Sequence, residues 1–378
     1  MKKLYIILDG LGDKPINKLR GKTPLEAATT LHLNYLAGKS ECGVLQAIPR
    51  VAPESDEAML ALLGFDPFVY HRGRGPLEAF GAGVKFGSTD VVLRCNFAKI
   101  SGNNSNSPRV GGMENSPVFH KITDTEAEVS AKEIKQLEAI GISGAKFRHT
   151  VGHRGVLILS GAVSDKISNT NPTYKIVRNY VTTALPKNVG LKKMKCVALN
   201  KTTAAKKSAE LVNKFISEAE KILKTKTILT RGAGQGLPKL PRLAGKWALL
   251  ADMPVEKAIG KLCGMTILKK ESNYKKLAKQ ALEALEIYDN IYFEIKGPDS
   301  FAHRGDFRGK QKIIEKIDKE FFGTLVEGEN LDEVVICVTA DHATSSELKA
   351  HTADAVPVIL HRPYNSGGGL IKFSERSC

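Results

Sequence analysis

Short apolar runs rich in β-branched residues alternate along this chain with segments of helical period, and that alternation restricts the fold more than any other feature. The runs are "LYIILD" at 4–9, "VVLRCNF" at 91–97, "GVLILSG" at 155–161, "KCVALN" at 195–200, "IYFEI" at 291–295, "VVICVTA" at 334–340 and "VPVIL" at 356–360. Between several of them lie "EVSAKEIKQLEAIG", "TTAAKKSAELVNKFISEAEKILK", "NYKKLAKQALEALEIY" and "GKQKIIEKIDKEFF", whose apolar positions recur at helical spacing. Strands separated by helices predict α/β layers with mainly parallel sheets, their crossover helices covering both faces. With 378 residues, two domains is the better reading. The polar, turn-rich stretch at 99–117 and the Gly/Pro-rich segment at 226–246 are candidate domain connections or active-site loops.

Three of the strands share an unusual ending. "YIILDG" presents Asp9, "YFEIKGPDSFAH" presents Asp299 and His303, and "VICVTADH" presents Asp341 and His342; His351 follows before the next strand. In an open α/β sheet the carboxyl ends of parallel strands line the functional crevice, so these groups can converge. Taken singly, each has an ordinary explanation as a turn residue, a cap or a satisfied histidine. Together, three carboxylates and three imidazoles suit two adjacent divalent cations, Mn²⁺ or Zn²⁺ and less readily Mg²⁺. The spacing of Asp299 and His303 places both on one face if a helix begins there. Ser55, in "RVAPESDEAMLALLGFDP", stands between a Pro-containing turn and a helical pattern. Such a serine is ordinarily an N-cap; alternatively it is a metal-activated nucleophile whose phosphoryl adduct the helix N-terminus would stabilise.

The stretches "ILDGLGDKP", "GKTPLEAA", "SDEAMLALLGFDP", "GRGPLEAFGAG", "LRCNFA", "TRGAG", "KGPDSFAHRGDFRGK", "TADHAT" and "ADAVPVIL" span nearly the whole chain. In them the sequence resembles the archaeal-type cofactor-independent phosphoglycerate mutases of the alkaline phosphatase superfamily. The resemblance implies an alkaline-phosphatase-like layered α/β domain, at 1–90 and 226–378, interrupted by an α/β substrate domain at 91–225. It implies one cation at Asp9, Ser55, Asp341 and His342, and a second at Asp299, His303 and His351. It also implies interconversion of 3-phosphoglycerate and 2-phosphoglycerate through phosphoserine at Ser55, with no bisphosphoglycerate primer. Candidate contacts for a small phosphorylated organic acid are Arg94, Arg148, Arg154 and Lys296, with His149 and His153 beside them; an Arg fork holds an anion bidentately, a Lys as a point charge. The chain departs from its relatives in "SGNNSNSPRVGG", where they look arginine-rich, in "SNTNP" at 168–172, which lacks acidic residues, and in Glu54, where glycine is usual before the serine.

A formal charge of +16 favours anionic partners without selecting one. The lysine-rich runs lack interleaved aromatics and any zinc-finger or RNP-like signature, so no specific nucleic-acid partner is expected. Six scattered cysteines read as free thiols of a reducing compartment, and no segment offers the apolar length of a membrane span, so a cytoplasmic location without a membrane partner is expected. The same metal chemistry would also serve a phosphatase or phosphotransferase acting on another small anion, or persist in a noncatalytic metal- or anion-binding homologue.

Overall fold

Strand register brings the acidic strand ends to one level. In the computed structural model, which describes residues 1–101, 121–186, 191–328, 333–364 and 369–378, the strand Lys2–Leu8 lies between two parallel neighbours. Leu8 pairs with Ile295 of the strand Asn290–Ile295, and Ile7 with Thr339 of Val334–Thr339. Continuing that register by one or two residues carries Asp9, Lys296 and Asp341 out of the same edge of the sheet.

The chain forms two compact units, residues 1–70, 182–186 and 239–378, and residues 71–181 and 187–238. The first contains a seven-stranded sheet in the order Thr266–Leu268, Trp247–Leu250, Asn290–Ile295, Lys2–Leu8, Val334–Thr339, Val356–His361 and Glu41–Leu45. The first five strands run parallel, Val356–His361 runs antiparallel to them, and Glu41–Leu45 is antiparallel to Val356–His361. Leu4, Ile6 and Leu8 on one face of the central strand and Ile7 on the other are buried, as a strand covered on both faces requires. The helix Tyr274–Ile287 turns Leu277, Ala278, Ala281 and Leu285 into that core. The helix Phe307–Ile317 adds Ile314 and Ile317, and a π-helical turn at Asp318–Phe322 continues it with Phe321 and Phe322.

The second unit corrects the expectation of mainly parallel sheets. Its strands Ala145–His149, Arg154–Leu159, Val91–Ser101, Lys121–Asp124, Leu191–Lys192 and Lys226–Gln235 pair only antiparallel. The helix Thr203–Leu223 seats Val212, Phe215 and Ile216 against Phe97, Phe147 and Leu157, and Phe215 stacks on Phe147 with ring centroids 5.5 Å apart. The run 195–200 is not a strand: Val197 and Leu199 are exposed, and the Cys196 backbone bonds both ways to the side chain of Asn213 instead of entering a ladder.

The 226–246 segment, expected as a domain connection or an active-site loop, begins as the strand Lys226–Gln235, paired to Val91–Ser101. The helix Arg74–Gly81 belongs with that pair, and its packing depends on two glycines. A Cβ on Gly75 would lie 2.1 Å from the Val92 carbonyl oxygen, and one on Gly234 would lie 1.8 Å from that of Arg72. These contacts hold residues 71–90 and 226–238 in the second unit, so the units divide at 70 and 239 where 90 and 226 were expected. Most of "SGNNSNSPRVGG" lies outside the described residues.

Candidate metal centre

Two bonds bring the strand ends together and a third fixes the Asp341 carboxylate locally. Asp299 N–H donates to the Asp9 carbonyl at 3.1 Å, and the N–H groups of Gly10 and His342 donate to Asp341 Oδ1 at 3.1 and 3.0 Å. Gly10 has φ +61°, and a Cβ there would meet Thr344 Oγ1 at 2.6 Å and Asp299 Cβ at 2.8 Å. The "LDG" turn therefore needs glycine both for its backbone conformation and for its closeness to the site. Asp299 lies in the first turn of the helix Pro298–Arg304 and His303 one turn on, so the helical spacing expected from sequence is realised.

The imidazole orientations follow from their outer nitrogens. His303 Nδ1 donates to the Lys349 carbonyl at 2.9 Å, and His351 Nδ1 to the Pro53 carbonyl at 2.7 Å. Thr344 Oγ1 donates to Asp299 Oδ1 at 2.8 Å, so its lone pairs accept from His342 Nδ1 at 3.0 Å. Each ring thus spends its Nδ1 proton outward and presents Nε2 to the carboxylates, as second partners of metal-binding histidines do. His303 Nε2 and His351 Nε2 lie 3.2 and 3.6 Å from Asp299 Oδ1; His342 Nε2 lies 3.0 Å from Asp341 Oδ2 and 3.7 Å from Asp9 Oδ1. A lone pair facing a carboxylate is favourable only with a cation or a proton between them.

Among the described residues, three sets of donor atoms have the spacing of a metal site, each set lying within 4.8 Å: Asp299, His303 and His351; Asp9, Asp299 and His342; and Asp9, Glu294 and Asp341. Asp9 Oδ1, Asp341 Oδ2 and His342 Nε2 are buried without an aligned hydrogen bond. Leaving such atoms unsatisfied costs about 1–3 kcal/mol each, more when charged, and their convergence fits a bound divalent cation. The cation-free electrostatics agree. Burial first, then the Asp341 and Asp299 carboxylates working against Lys296, push the Asp9 carboxyl up to about 6. His342 is also raised, because Asp341, Asp299 and Asp9 outweigh its burial. Burial works against ionised Asp299, yet His303, His351 and His342 hold it well below the ordinary carboxylate range.

Lys296, read from sequence as a substrate contact, has its ammonium 2.9 Å from both Asp9 Oδ2 and Glu256 Oε1 and against Glu294 Oε1. Burial alone would lower its pKa; Asp9, Glu256 and Glu294 raise it well above the usual lysine value. Glu256 and Glu294 were not singled out from sequence, although the acid inside the apolar run "IYFEI" was a visible signal.

Ser55 is the first residue of the helix Ser55–Leu62, and Glu54 takes the N-cap position, so the ordinary N-cap reading of Ser55 does not apply. Glu54 N–H donates to Glu57 Oε2 at 3.1 Å, while Glu57 Oε1 accepts from the N–H and hydroxyl of Thr182 at 2.7 and 3.0 Å. The bond from His351 to Pro53 ties this serine-bearing turn to the acid–histidine cluster.

In the second unit, Arg94 and Arg231 face each other across the antiparallel pair, and Asn96 faces Arg154. Like charges in register are destabilising without an anion. Arg94 Nε donates to Asn96 Oδ1 at 3.1 Å, but its Nη1 is buried without a hydrogen bond. Burial, then Arg74 and Arg154, push Arg94 down to about 9. Burial does the same to Arg231, whose guanidinium carbon sits 3.9 Å from the Tyr174 ring centroid. His153 is pushed down to about 4, chiefly by burial and despite Glu126, and accepts from Arg154 Nε at 3.3 Å. Arg148 turns to the Phe147 carbonyl, and His149 bonds Gly152 and stacks on Phe97. Arg74 and Arg231 each sit inside a glycine-rich motif, "GRGPLEAFGAG" and "TRGAG", which is the sequence signal that points to them. The uncharged "SNTNP" braces Arg231's strand: Thr230 N–H donates to Thr170 Oγ1 at 2.7 Å, and Gly232 N–H to Asn169 Oδ1 at 3.2 Å.

A mainly parallel α/β sheet with this acid–histidine edge is of the alkaline-phosphatase type. The family model of 2,3-bisphosphoglycerate-independent phosphoglycerate mutase matches residues 37–228. The Aeropyrum pernix protein of that name is 36% identical to this chain, covering 100% of the chain and 94% of its own length. The solved structure of a Pyrococcus horikoshii protein, 25% identical, superposes with a TM-score of 0.71 over 100% of this chain and 91% of the other. The cofactor-independent phosphoglycerate mutase of Thermoplasma acidophilum, 27% identical, gives 0.57 over 100% and 94%. The chain belongs to the 2,3-bisphosphoglycerate-independent phosphoglycerate mutase family, in the alkaline phosphatase superfamily. Among the described residues no helix is long and apolar enough to cross a membrane.

Proposed function

We propose that this chain interconverts 3-phosphoglycerate and 2-phosphoglycerate through a phosphoserine at Ser55, without a bisphosphoglycerate primer. The observation that carries the reading is the tie from His351 to Pro53, which joins the serine-bearing helix start to the cation-suited cluster. Asp9, Asp341 and His342, with Ser55, would hold one divalent ion; Asp299, His303 and His351 would hold the other. Oxygen and imidazole donors of this kind suit Mn²⁺ or Zn²⁺, and also Mg²⁺. Bound there, the ions would lower the serine hydroxyl's pKa and neutralise phosphoryl charge.

In the first half-reaction, Ser55 Oγ forms a bond to phosphorus as the bond from phosphorus to the substrate's 3-oxygen breaks. The serine proton ends on that oxygen, leaving glycerate. In the second, glycerate presents its 2-hydroxyl, whose oxygen takes the phosphoryl group and whose proton returns to Ser55. No co-reactant is consumed. Backbone N–H groups at the start of Ser55–Leu62 would serve as donors to the phosphoryl group on Ser55. Arg94, Arg154 and Arg231, with Arg74, are the proposed anion-holding groups, and the facing Arg94–Arg231 pair supports that role. Lys296 is reassigned to holding Asp9. Acid-quenching the Mn²⁺-loaded protein with 3-phosphoglycerate and mapping the phosphopeptide tests the intermediate: label on Ser55 is expected, and turnover without label there would overturn it.

A further inference from the structure

Lys310, in the helix Phe307–Ile317, has no solvent exposure, which is rare for lysine unless paired. Three oxygens match its three donors: the Gly12 carbonyl at 2.8 Å, the Thr344 carbonyl at 2.9 Å and Asp13 Oδ2 at 3.1 Å. These oxygens come from the loop that leaves Asp9 and from the short strand Ala343–Ser345 that leaves Asp341 and His342. Lys310's own helix follows the one bearing Asp299 and His303. One ammonium therefore joins three of the segments that carry the acid–histidine cluster, those bearing Asp9, Asp299 with His303, and Asp341 with His342.

The surrounding bonds reinforce this junction. Thr344 N–H donates to the Gly12 carbonyl at 2.9 Å, and the Ser346 N–H and hydroxyl donate to the Asp13 carboxylate at 3.0 and 2.6 Å. Thr344 is the residue whose hydroxyl bonds both Asp299 and His342. Fixing its backbone fixes the link between the two donor groups. Asp13, although a carboxylate near the site, is fully engaged by Lys310, Ser346 and Lys14 N–H.

We propose that Lys310, paired with Asp13, is a positioning residue that sets the spacing of the two cation-holding groups through Thr344. The proposal rests on the two-cation reading above. Its test compares the parent with Lys310→Met and with the double variant Asp13→Asn/Lys310→Met. Replacing both partners leaves no uncompensated buried charge, a change that buried ion pairs often tolerate. Leu277→Ala, in the core outside the site, controls for stability alone.

Mn²⁺ dissociation constants are measured by competition with a fluorescent chelator, and metal-free stability by urea unfolding followed through Trp247. The folded double variant should bind Mn²⁺ about 10–100-fold more weakly, the usual effect of losing a second-layer partner. Leu277→Ala should lose stability and keep its Mn²⁺ affinity. Parent-like affinity in either folded Lys310 variant would overturn the proposal, as would an equal loss of affinity in Leu277→Ala. A parent protein that binds no Mn²⁺ would instead overturn the two-cation reading itself.

Discussion

Lys296→Met is the most informative single perturbation of the metal-free site. The ammonium lies 2.9 Å from Asp9 and from Glu256, with Glu294 also in contact. At an effective dielectric constant of about 20, each 2.9 Å pair is worth roughly 6 kcal/mol of attraction, much of it offset by desolvation. Removing one partner of a buried pair typically costs about 3–5 kcal/mol, and the larger loss is expected at pH 8. The pH dependence carries the sign. Asp9 already has its pKa raised to about 6, and Glu294, through burial and Glu256, lies well above its ordinary value. A carboxyl raised on folding favours the folded state when protonated, and that contribution is lost as pH rises through its folded pKa. Without Lys296 both groups move higher still, so the variant should lose much less stability at pH 5 than at pH 8. The assay is urea unfolding in chelator, read through Trp247, the only tryptophan and a residue of the first unit's sheet. An equal loss at the two pH values, or none at pH 8, would refute this electrostatic account.

Other outcomes follow from the same geometry. Ser55→Ala should abolish phosphoenzyme formation while leaving the fold, judged by its urea midpoint, within about 0.5 kcal/mol of the parent, as for a half-buried side chain away from the core. Cation binding must displace protons from Asp9 and His342, so Mn²⁺ affinity should fall as pH drops through about 6, with proton release measurable by calorimetry in buffers of different ionisation enthalpy. Chelation should lower the thermal midpoint and Mn²⁺ should restore it, because ligand binding to the folded state alone stabilises it. Arg94→Met should raise KM for 3-phosphoglycerate at least about 10-fold, the weight of one charge-assisted contact, yet destabilise the anion-free protein little, since it removes a buried cation facing Arg231.

The parts of this molecule legible in the sequence are those encoded locally. Asp9, Asp299, His303, Asp341 and His342 stand at the ends of strands whose apolar runs are unmistakable, and parallel register brings their ends to one edge. The helices at 203–223, 274–287 and 307–317 announced themselves by their period. What escaped was fixed by partners distant in the chain. Lys296 and Arg94 are both single cations after or within an apolar run; only packing shows that one faces three carboxylates and the other faces Arg231. Antiparallel pairing in the second unit was hidden because a strand's composition does not record its neighbour's direction. The run 195–200 has a strand's composition, but Asn213 takes the backbone groups of Cys196, and the rest of the run pairs with residues 166–168 only through an isolated bridge.

The most direct test of the proposed interconversion is a phosphorus-resolved spectrum of 3-phosphoglycerate incubated with the folded, Mn²⁺-loaded protein in the absence of bisphosphoglycerate. The account predicts a 2-phosphoglycerate resonance growing to equilibrium with no matching inorganic phosphate. Inorganic phosphate as the sole product, or unchanged 3-phosphoglycerate at full metal occupancy, would contradict it.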